Sequence, residues 1–175
     1  GCGIGTDTMN FARAGAKVTA IDYSQKSLEV AKKRADVFDL DIDFYHGNAE
    51  ELSSLVSVQT YDLVYSFGVI HHTPHPERVI EEIKKYMGPD SLFKMMVYHR
   101  QSWKVFWILM TYGKGVFWKT DELIANYSEA QSGCPVTYSY SKKSVTDFLK
   151  GFSIEEMFVD HIFPYRIPEY KNYQY

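Results

Sequence analysis

Gly1-Cys2-Gly3-Ile4-Gly5-Thr6-Asp7, followed ten residues later by Lys17-Val18-Thr19-Ala20-Ile21-Asp22, is the stretch from which the fold is read. Glycines at alternate positions let the backbone turn tightly and approach a ligand with no Cβ in the way. Thr6 or Asp7 is placed to cap a helix that passes through Met9 and Ala12 and stops at Gly15. The N–H groups at the start of that helix suit an anionic or polar ligand. The apolar, β-branched run from Lys17 to Asp22 then reads as a strand ending on a carboxylate. A glycine turn of this kind normally follows a buried strand. None precedes Gly1, so the chain reads as a fragment without its first strand.

Downstream the alternation continues. Ser24 caps a helix with Leu28, Ala31 and Ala35 on one face, and Ile42 to Tyr45 is the next strand. Glu50 to Val56 reads as a short helix and Tyr61 to Ser66 as a third strand. Val79, Ile80, Ile83, Tyr86 and Met87 mark an amphipathic helix stopped by Gly88-Pro89, and Ser91 to Tyr98 is a strand again. Strands alternating with helices predict an α/β fold with a mostly parallel, doubly wound sheet. Beyond Tyr98 the rhythm breaks into an aromatic-rich helical insertion holding all three tryptophans, with helices over 103–112 and 120–130. Ser141 caps a further helix through Val145, Phe148 and Leu149, which Gly151 stops. Ser153 to Val159 reads as a last strand with no evident hairpin partner. The expected organisation is a ligand-binding core over 1–98, an insertion or lid over 99–140, a return of the core over 141–163 and a tail over 164–175 containing Pro164 and Pro168.

Composition narrows the function. The 175 residues are 45% hydrophobic, enough for a real core, and 23% charged, which excludes low-complexity disorder. A net charge of -3 gives no global drive toward nucleic acid. Cys2 and Cys134 neither staple a secreted fold nor have zinc spacing, so no metal is expected and a reduced, cytoplasmic setting is. Ser132-Gly133-Cys134-Pro135 lacks a base at a telling distance, and Cys134 reads as structural. No apolar run is long enough to span a membrane.

The candidate site lies at the carboxyl ends of the strands, where open α/β sheets bind ligands. Asp22 stands 17 positions after Gly5, where an acid can accept hydrogen bonds from both hydroxyls of a ribose; the competing reading is a solvated strand-end Asp that caps the next helix. Asn48 can read the edge of an adenine ring beside the small Ala49, or serve as a turn residue. Ser66-Phe67-Gly68-Val69-Ile70-His71-His72-Thr73 follows the third strand directly.

These residues together resemble the class I S-adenosylmethionine-dependent methyltransferases, the broad group that includes the ubiquinone-biosynthesis methyltransferases. The likeness covers residues 1–98 well and 141–160 loosely. It rests on GCGIGTD (1–7) as the glycine motif, Asp22 as the ribose acid, Asn48-Ala49 as the adenine-contact turn and FGVIHHT (67–73) as the loop after the fourth family strand. The resemblance implies a Rossmann-like fold with S-adenosyl-L-methionine as cofactor. Gly1, Gly3 and Gly5 would shape the methionine site, Asp22 hold the ribose, and Asn48 with Ala49 meet the adenine, with Thr6 and Tyr23 also among the cofactor-binding residues. Phe67, Gly68 and His71 would line the crevice near the sulfonium. Asn48 departs from the usual Asp. The absent first strand, central in this family, should leave a gap between its two neighbours.

Methyl transfer needs an aligned acceptor and exclusion of water; a hydroxyl or amine acceptor also benefits from a base. His71 and His99 are the candidate catalytic residues, with His72 ranked behind them and His75 taken as surface. Arg100 could hold a carboxylate or phosphate on the acceptor, or be a solvated surface side chain. Trp103, Phe106, Trp107 and Met110 fall on one helical face. That face packs as a lid, lines a pocket for an aromatic or lipid-like acceptor, or makes a dimer or interfacial contact. The function expected is methyl transfer to a small-molecule, lipid-precursor or glycan-intermediate acceptor. The rivals are a non-catalytic S-adenosylmethionine-binding interaction module and a nicotinamide-dependent oxidoreductase, against which Thr6 in place of a third motif glycine counts.

Overall fold

The computed structural model describes residues 1–114, 116–127 and 136–159. The chain divides into two compact units. The first comprises Gly1–Val69 with His75–Met95, and the second Ile70–Pro74 with the described residues from Met96 onward.

The first unit is an alternation of helix and strand: α1 (Thr6–Arg13), β1 (Val18–Asp22), α2 (Gln25–Val37), β2 (Ile42–His46), a 3₁₀ turn (Ala49–Glu51) running into α3 (Leu52–Leu55), β3 (Leu63–Phe67), α4 (Pro76–Lys84) and β4 (Leu92–Met96). β1 and β2 are parallel, in a register that sets Val18 beside Ile42 and Asp22 beside His46. β3 pairs with β4, so among the described residues the four strands form two separate two-stranded sheets. The apolar spacing of α2 does what periodicity predicts: Leu28, Ala31 and Ala35 are buried along one face. Val79, Ile80 and Ile83 do the same for α4. Ser24 caps α2 by accepting the Ser27 N–H at 3.2 Å.

Three expectations need correction. Neither Thr6 nor Asp7 caps α1; both lie inside its first turn, and Gly5 precedes the helix at φ 81° with no side-chain cap. A left-handed residue at that position swings the chain into the helix directly from the turn, which only glycine does without strain. Second, α4 ends at Lys84, a turn before Gly88-Pro89. Tyr86 leaves the helix because its hydroxyl donates to the Val56 carbonyl at 2.6 Å and its own carbonyl accepts from Tyr61 N–H. Third, residues 153–159 form no strand; no ladder partner faces them among the described residues, and Phe158 and Val159 are exposed.

The second unit holds a 3₁₀ turn (Ile70–His72), α5 (Trp103–Thr111), a 3₁₀ turn (Phe117–Lys119), α6 (Thr120–Tyr127) and α7 (Lys142–Phe148). Ser141 and Ser144 form a reciprocal capping box at the start of α7, and Gly151 follows the helix at φ 95°. Val105 and Leu109 of α5 pack on Ile124 of α6, with Leu123 alongside. Gly113 follows α5, and a Cβ there would lie 2.6 Å from the carbonyl oxygen of Leu109 in α5 itself and 2.9 Å from Leu123 Cδ1 of α6. Residues 128–130, Cys134 and its neighbours, and the tail from 160 lie outside the described residues.

Two predictions follow from this packing. Gly113→Ala drives a methyl into the Leu109 carbonyl, so urea unfolding should show a loss of about 1–3 kcal/mol; an unchanged midpoint would mean that the end of α5 shifts to admit it. Glu82 of α4 takes the Ser53 N–H at 2.6 Å on Oε2 and pairs with Lys85 through Oε1. Burial pushes its carboxyl up, but the Lys85 and Ser53 bonds outweigh burial and hold it below the usual carboxylate range. With its native value below the unfolded one, Glu82 contributes stability that is present at neutral pH and lost as pH falls through the native value. Glu82→Gln should therefore lower the melting temperature at neutral pH and converge with the parent in acid.

Candidate functional site

The glycine turn is anchored to the end of β1. Cys2 N–H donates to the Ile21 carbonyl at 2.9 Å, and Gly5 N–H closes the turn on the Cys2 carbonyl at 3.0 Å. Gly3 adopts φ 55°, and the space its absent Cβ would fill is open to 4 Å. Burial pushes the Cys2 thiol up, which keeps it protonated.

Asp22 is buried at the end of β1. Its Oδ2 accepts the Gly3 N–H at 2.6 Å and its Oδ1 the Ser24 N–H at 2.8 Å. One carboxylate therefore ties the glycine turn to the first residues after the strand. Each oxygen takes a single protein donor and has a second lone pair, so the group retains capacity for two hydroxyl donors. Tyr23, next to it, is largely exposed, and its carbonyl lies 3.0 Å from His46 Nε2.

The turn after β2 arrives at the same place. Gly47 N–H donates to the Asp22 carbonyl at 3.0 Å, continuing the β1–β2 ladder by one bond. Asn48 then caps the following 3₁₀ turn, its Oδ1 accepting the Glu50 N–H at 3.0 Å, which leaves its amide nitrogen outside that bond. Ala49 begins the turn. The loop after β3 also comes in: a Cβ on Gly1 would meet the Val69 side chain at 2.3 Å, so the first glycine is required by close approach of that loop. Gly68 sits at φ 75°, and Phe67 is half exposed, its ring stacked with Tyr65. Gly1, Gly3, Gly5, Asp22, Asn48 and the Phe67-Gly68 turn are thereby gathered at one end of the strands.

Two residues that support this arrangement escape a reading of motifs. Arg34 of α2 reaches back to the Ile4 carbonyl at 2.9 Å and to Thr6 Oγ1 at 3.4 Å, bracing the turn from outside. Glu50 is buried, and its Oε1 accepts His75 N–H at 2.8 Å, joining the turn after β2 to the start of α4. Both act across long sequence separations, and no local pattern announces them.

His71, His72 and His99 lie in the second unit. His71 is fully buried, with the rings of His72 and Tyr98 each 4.1 Å from its own, centroid to centroid. Lys104 Nζ stands 4.0 Å from the centroid of the Tyr98 ring, a cation–π contact. Residues 136–140 strap these loops together. Tyr138 N–H donates to the His71 carbonyl, Tyr140 N–H to the Tyr98 carbonyl, and Arg100 N–H to the Tyr140 carbonyl. His72 Nδ1 lies 3.3 Å from the Val136 carbonyl and 3.1 Å from Thr137 Oγ1. The carbonyl accepts from a protonated Nδ1 and the hydroxyl can donate to an unprotonated one, so the two contacts fit either tautomer of the ring. In His99, Nδ1 accepts Gln101 N–H at 3.2 Å, which puts the proton of the neutral ring on Nε2.

The arrangement has known counterparts. The methyltransferase-domain family matches residues 1–148. Among curated proteins, the chain is 33% identical over 95 residues to the ubiquinone biosynthesis O-methyltransferase of Actinobacillus pleuropneumoniae, covering 53% of this chain and 41% of that protein. It is 31% identical over 103 residues to the enzyme of the same name from Haemophilus ducreyi, covering 57% and 44%. The chain thus spans less than half the length of these relatives. In fold it is similar to a protein of Bacillus halodurans described as a methyltransferase, with a TM-score of 0.66, 19% identity and coverage of 89% and 61%. An S-adenosylmethionine-dependent methyltransferase from Clostridium acetobutylicum gives a TM-score of 0.52 at 16% identity, with coverage of 59% and 44%. The family match over most of the chain, on a Rossmann-like fold that gathers the glycine turn and Asp22 at the strand ends, makes this chain a member of the class I S-adenosylmethionine-dependent methyltransferases.

Proposed function

We propose that the chain is the catalytic part of an enzyme that moves a methyl group from S-adenosyl-L-methionine to a small-molecule, lipid-precursor or glycan-intermediate acceptor in the cytoplasm. The observation that carries this reading is the Asp22 carboxylate, fixed by Gly3 and Ser24 N–H groups with acceptor capacity left for a ribose diol. The open space at Gly3 suits the methionine portion, alongside Gly1, Gly5 and Thr6. Tyr23 would flank the ribose, the Asn48 amide and Ala49 would meet the adenine, and Phe67 and Gly68 would line the cofactor from the β3 side. The sulfonium supplies the reactive methyl group. The chain's own residues bind and orient it. In this reading residues 1–98 are the cofactor core and residues 99–140 the acceptor side.

For an acceptor that must lose a proton, His71 and His99 are the candidate bases, with His72 behind them. His99 accepts Gln101 N–H on Nδ1, and His71 is packed between the rings of His72 and Tyr98.

Calorimetric titration with S-adenosylhomocysteine tests the cofactor assignment. Micromolar binding should weaken at least tenfold in Asp22→Ala, a change of about 1.4 kcal/mol. Binding of NAD in preference to S-adenosylhomocysteine by the folded chain would overturn it. The base assignment is read by methyl transfer from labelled cofactor to a panel of phenols. One of His71→Gln and His99→Gln should reduce turnover by about a hundredfold or more. Full turnover in both variants would remove the assignment.

A further inference from the structure

α5 is apolar on almost every side, yet the structure sorts its residues sharply. Val105, Ile108 and Leu109 are buried. On the opposite side Trp103 is 43% exposed, Phe106 48%, Trp107 38% and Met110 53%. At about 100° per residue these four fall within an arc of roughly 100°, a continuous stripe and not scattered surface residues. The Trp103 and Phe106 rings lie 5.2 Å apart along it. Trp118, in the following 3₁₀ turn, is 82% exposed. An aromatic stripe of this extent marks a surface that meets something apolar.

Charge identifies what it meets. From Ser91 through Thr120 the chain carries Lys94, Arg100, Lys104, Lys114 and Lys119 and no Asp or Glu, although the whole protein has a net charge of -3. The nearest acids face two of these cations at the start of α6: Asp121 lies 3.4 Å from Arg100 and Glu122 3.4 Å from Lys119. All four side chains are more than half exposed, so these are weak pairs that a lipid phosphate can replace. A shallow pocket opens on the same stripe, with Arg100 and Ser102 beside Trp103, Phe106 and Leu109. A guanidinium over aromatic and aliphatic walls matches a phosphodiester with the first methylenes of its acyl chain. Nine residues span about 14 Å, far short of a bilayer core of about 30 Å, so such a helix lies in the interface plane.

We propose that α5 is an interfacial anchor: its Trp103, Phe106, Trp107 and Met110 face enters the headgroup boundary of an anionic bilayer, and Arg100, Lys114 and Lys119 hold lipid phosphates around it. The anchor stands independently of which acceptor the enzyme uses. It would bring the second unit to a membrane surface without a spanning segment.

The test is flotation of the full chain with phosphatidylcholine vesicles and with vesicles also containing about one third phosphatidylglycerol. Binding to the anionic vesicles should be at least tenfold stronger, should fall with added salt, and should quench tryptophan fluorescence when brominated lipid is used. Trp103→Ser, Phe106→Ser and Trp107→Ser together should abolish it, with far-UV circular dichroism confirming that the variant is folded. Lys114→Glu with Lys119→Glu, which leaves the apolar stripe intact, should weaken it about tenfold. Failure of the folded parent chain to float with anionic vesicles would overturn the proposal. So would a dimer in sedimentation that the triple variant dissociates, since a second copy would then cover the face.

Discussion

The first unit depends on where the Asp22 carboxylate sits. A buried carboxylate is costly unless its charge is met by donors, and here the donors are two backbone N–H groups, from Gly3 and Ser24. The first belongs to a glycine turn that enters α1 with no side-chain cap, the second to the residue that caps α2. A single charged group therefore fixes both connections that flank β1. The requirement propagates outward. Gly3 must keep its N–H pointed at Oδ2 while at φ 55°, Gly5 must enter α1 from φ 81°, and Gly1 must admit Val69. The same carboxylate that organises the loops is left with the spare acceptor capacity a diol needs. Structural and binding roles that compete in a reading of the sequence are here compatible, because each oxygen has two lone pairs.

Support for this centre comes from side chains well away from it. Arg34 closes the outside of the glycine turn by accepting none of its geometry passively: its guanidinium binds the Ile4 carbonyl and the Thr6 hydroxyl. Glu50 performs a similar task for the turn after β2 by receiving the His75 N–H at the start of α4. In the second unit the strap at 136–140 takes the place of such single residues. It adds three backbone bonds to the loops carrying His71, Tyr98 and Arg100, and Val136 and Thr137 both contact His72 Nδ1.

Much of this was legible in the order of residues, and the part that was not has a physical reason. Ser24 and Ser141 could be read as caps because a cap is a local bond between a side chain and the backbone three residues on. The strands β1 to β4 and the helices α2 and α4 followed from periodicity, which is also local. Thr6 and Asp7 misled because a glycine in the left-handed region can start a helix without their help. Tyr86 looked like one more apolar position of α4 until its hydroxyl found Val56, a partner thirty residues distant. Residues 153–159 carry strand-like composition, but a strand exists only with a neighbour, and composition cannot supply one. Of the candidate site, the glycines, Asp22, Asn48 and the loop after β3 were named from type and spacing, and the structure gathers them at the strand ends. The bracing by Arg34 and Glu50 was not legible, because their partners lie thirty and twenty-five residues away.

α5 shows the same limit in another form. Its sequence offers two apolar faces, one aromatic and one aliphatic, and periodicity alone does not choose between them. The structure buries the aliphatic face, where Val105 and Leu109 pack on Ile124 of α6. The aromatic side is thereby outward, and the absence of acids between Asp90 and Asp121 gives that side an electrostatic character of its own. Packing decides which face is available, and charge decides what the available face can bind. Neither alone distinguishes a lid from an anchor.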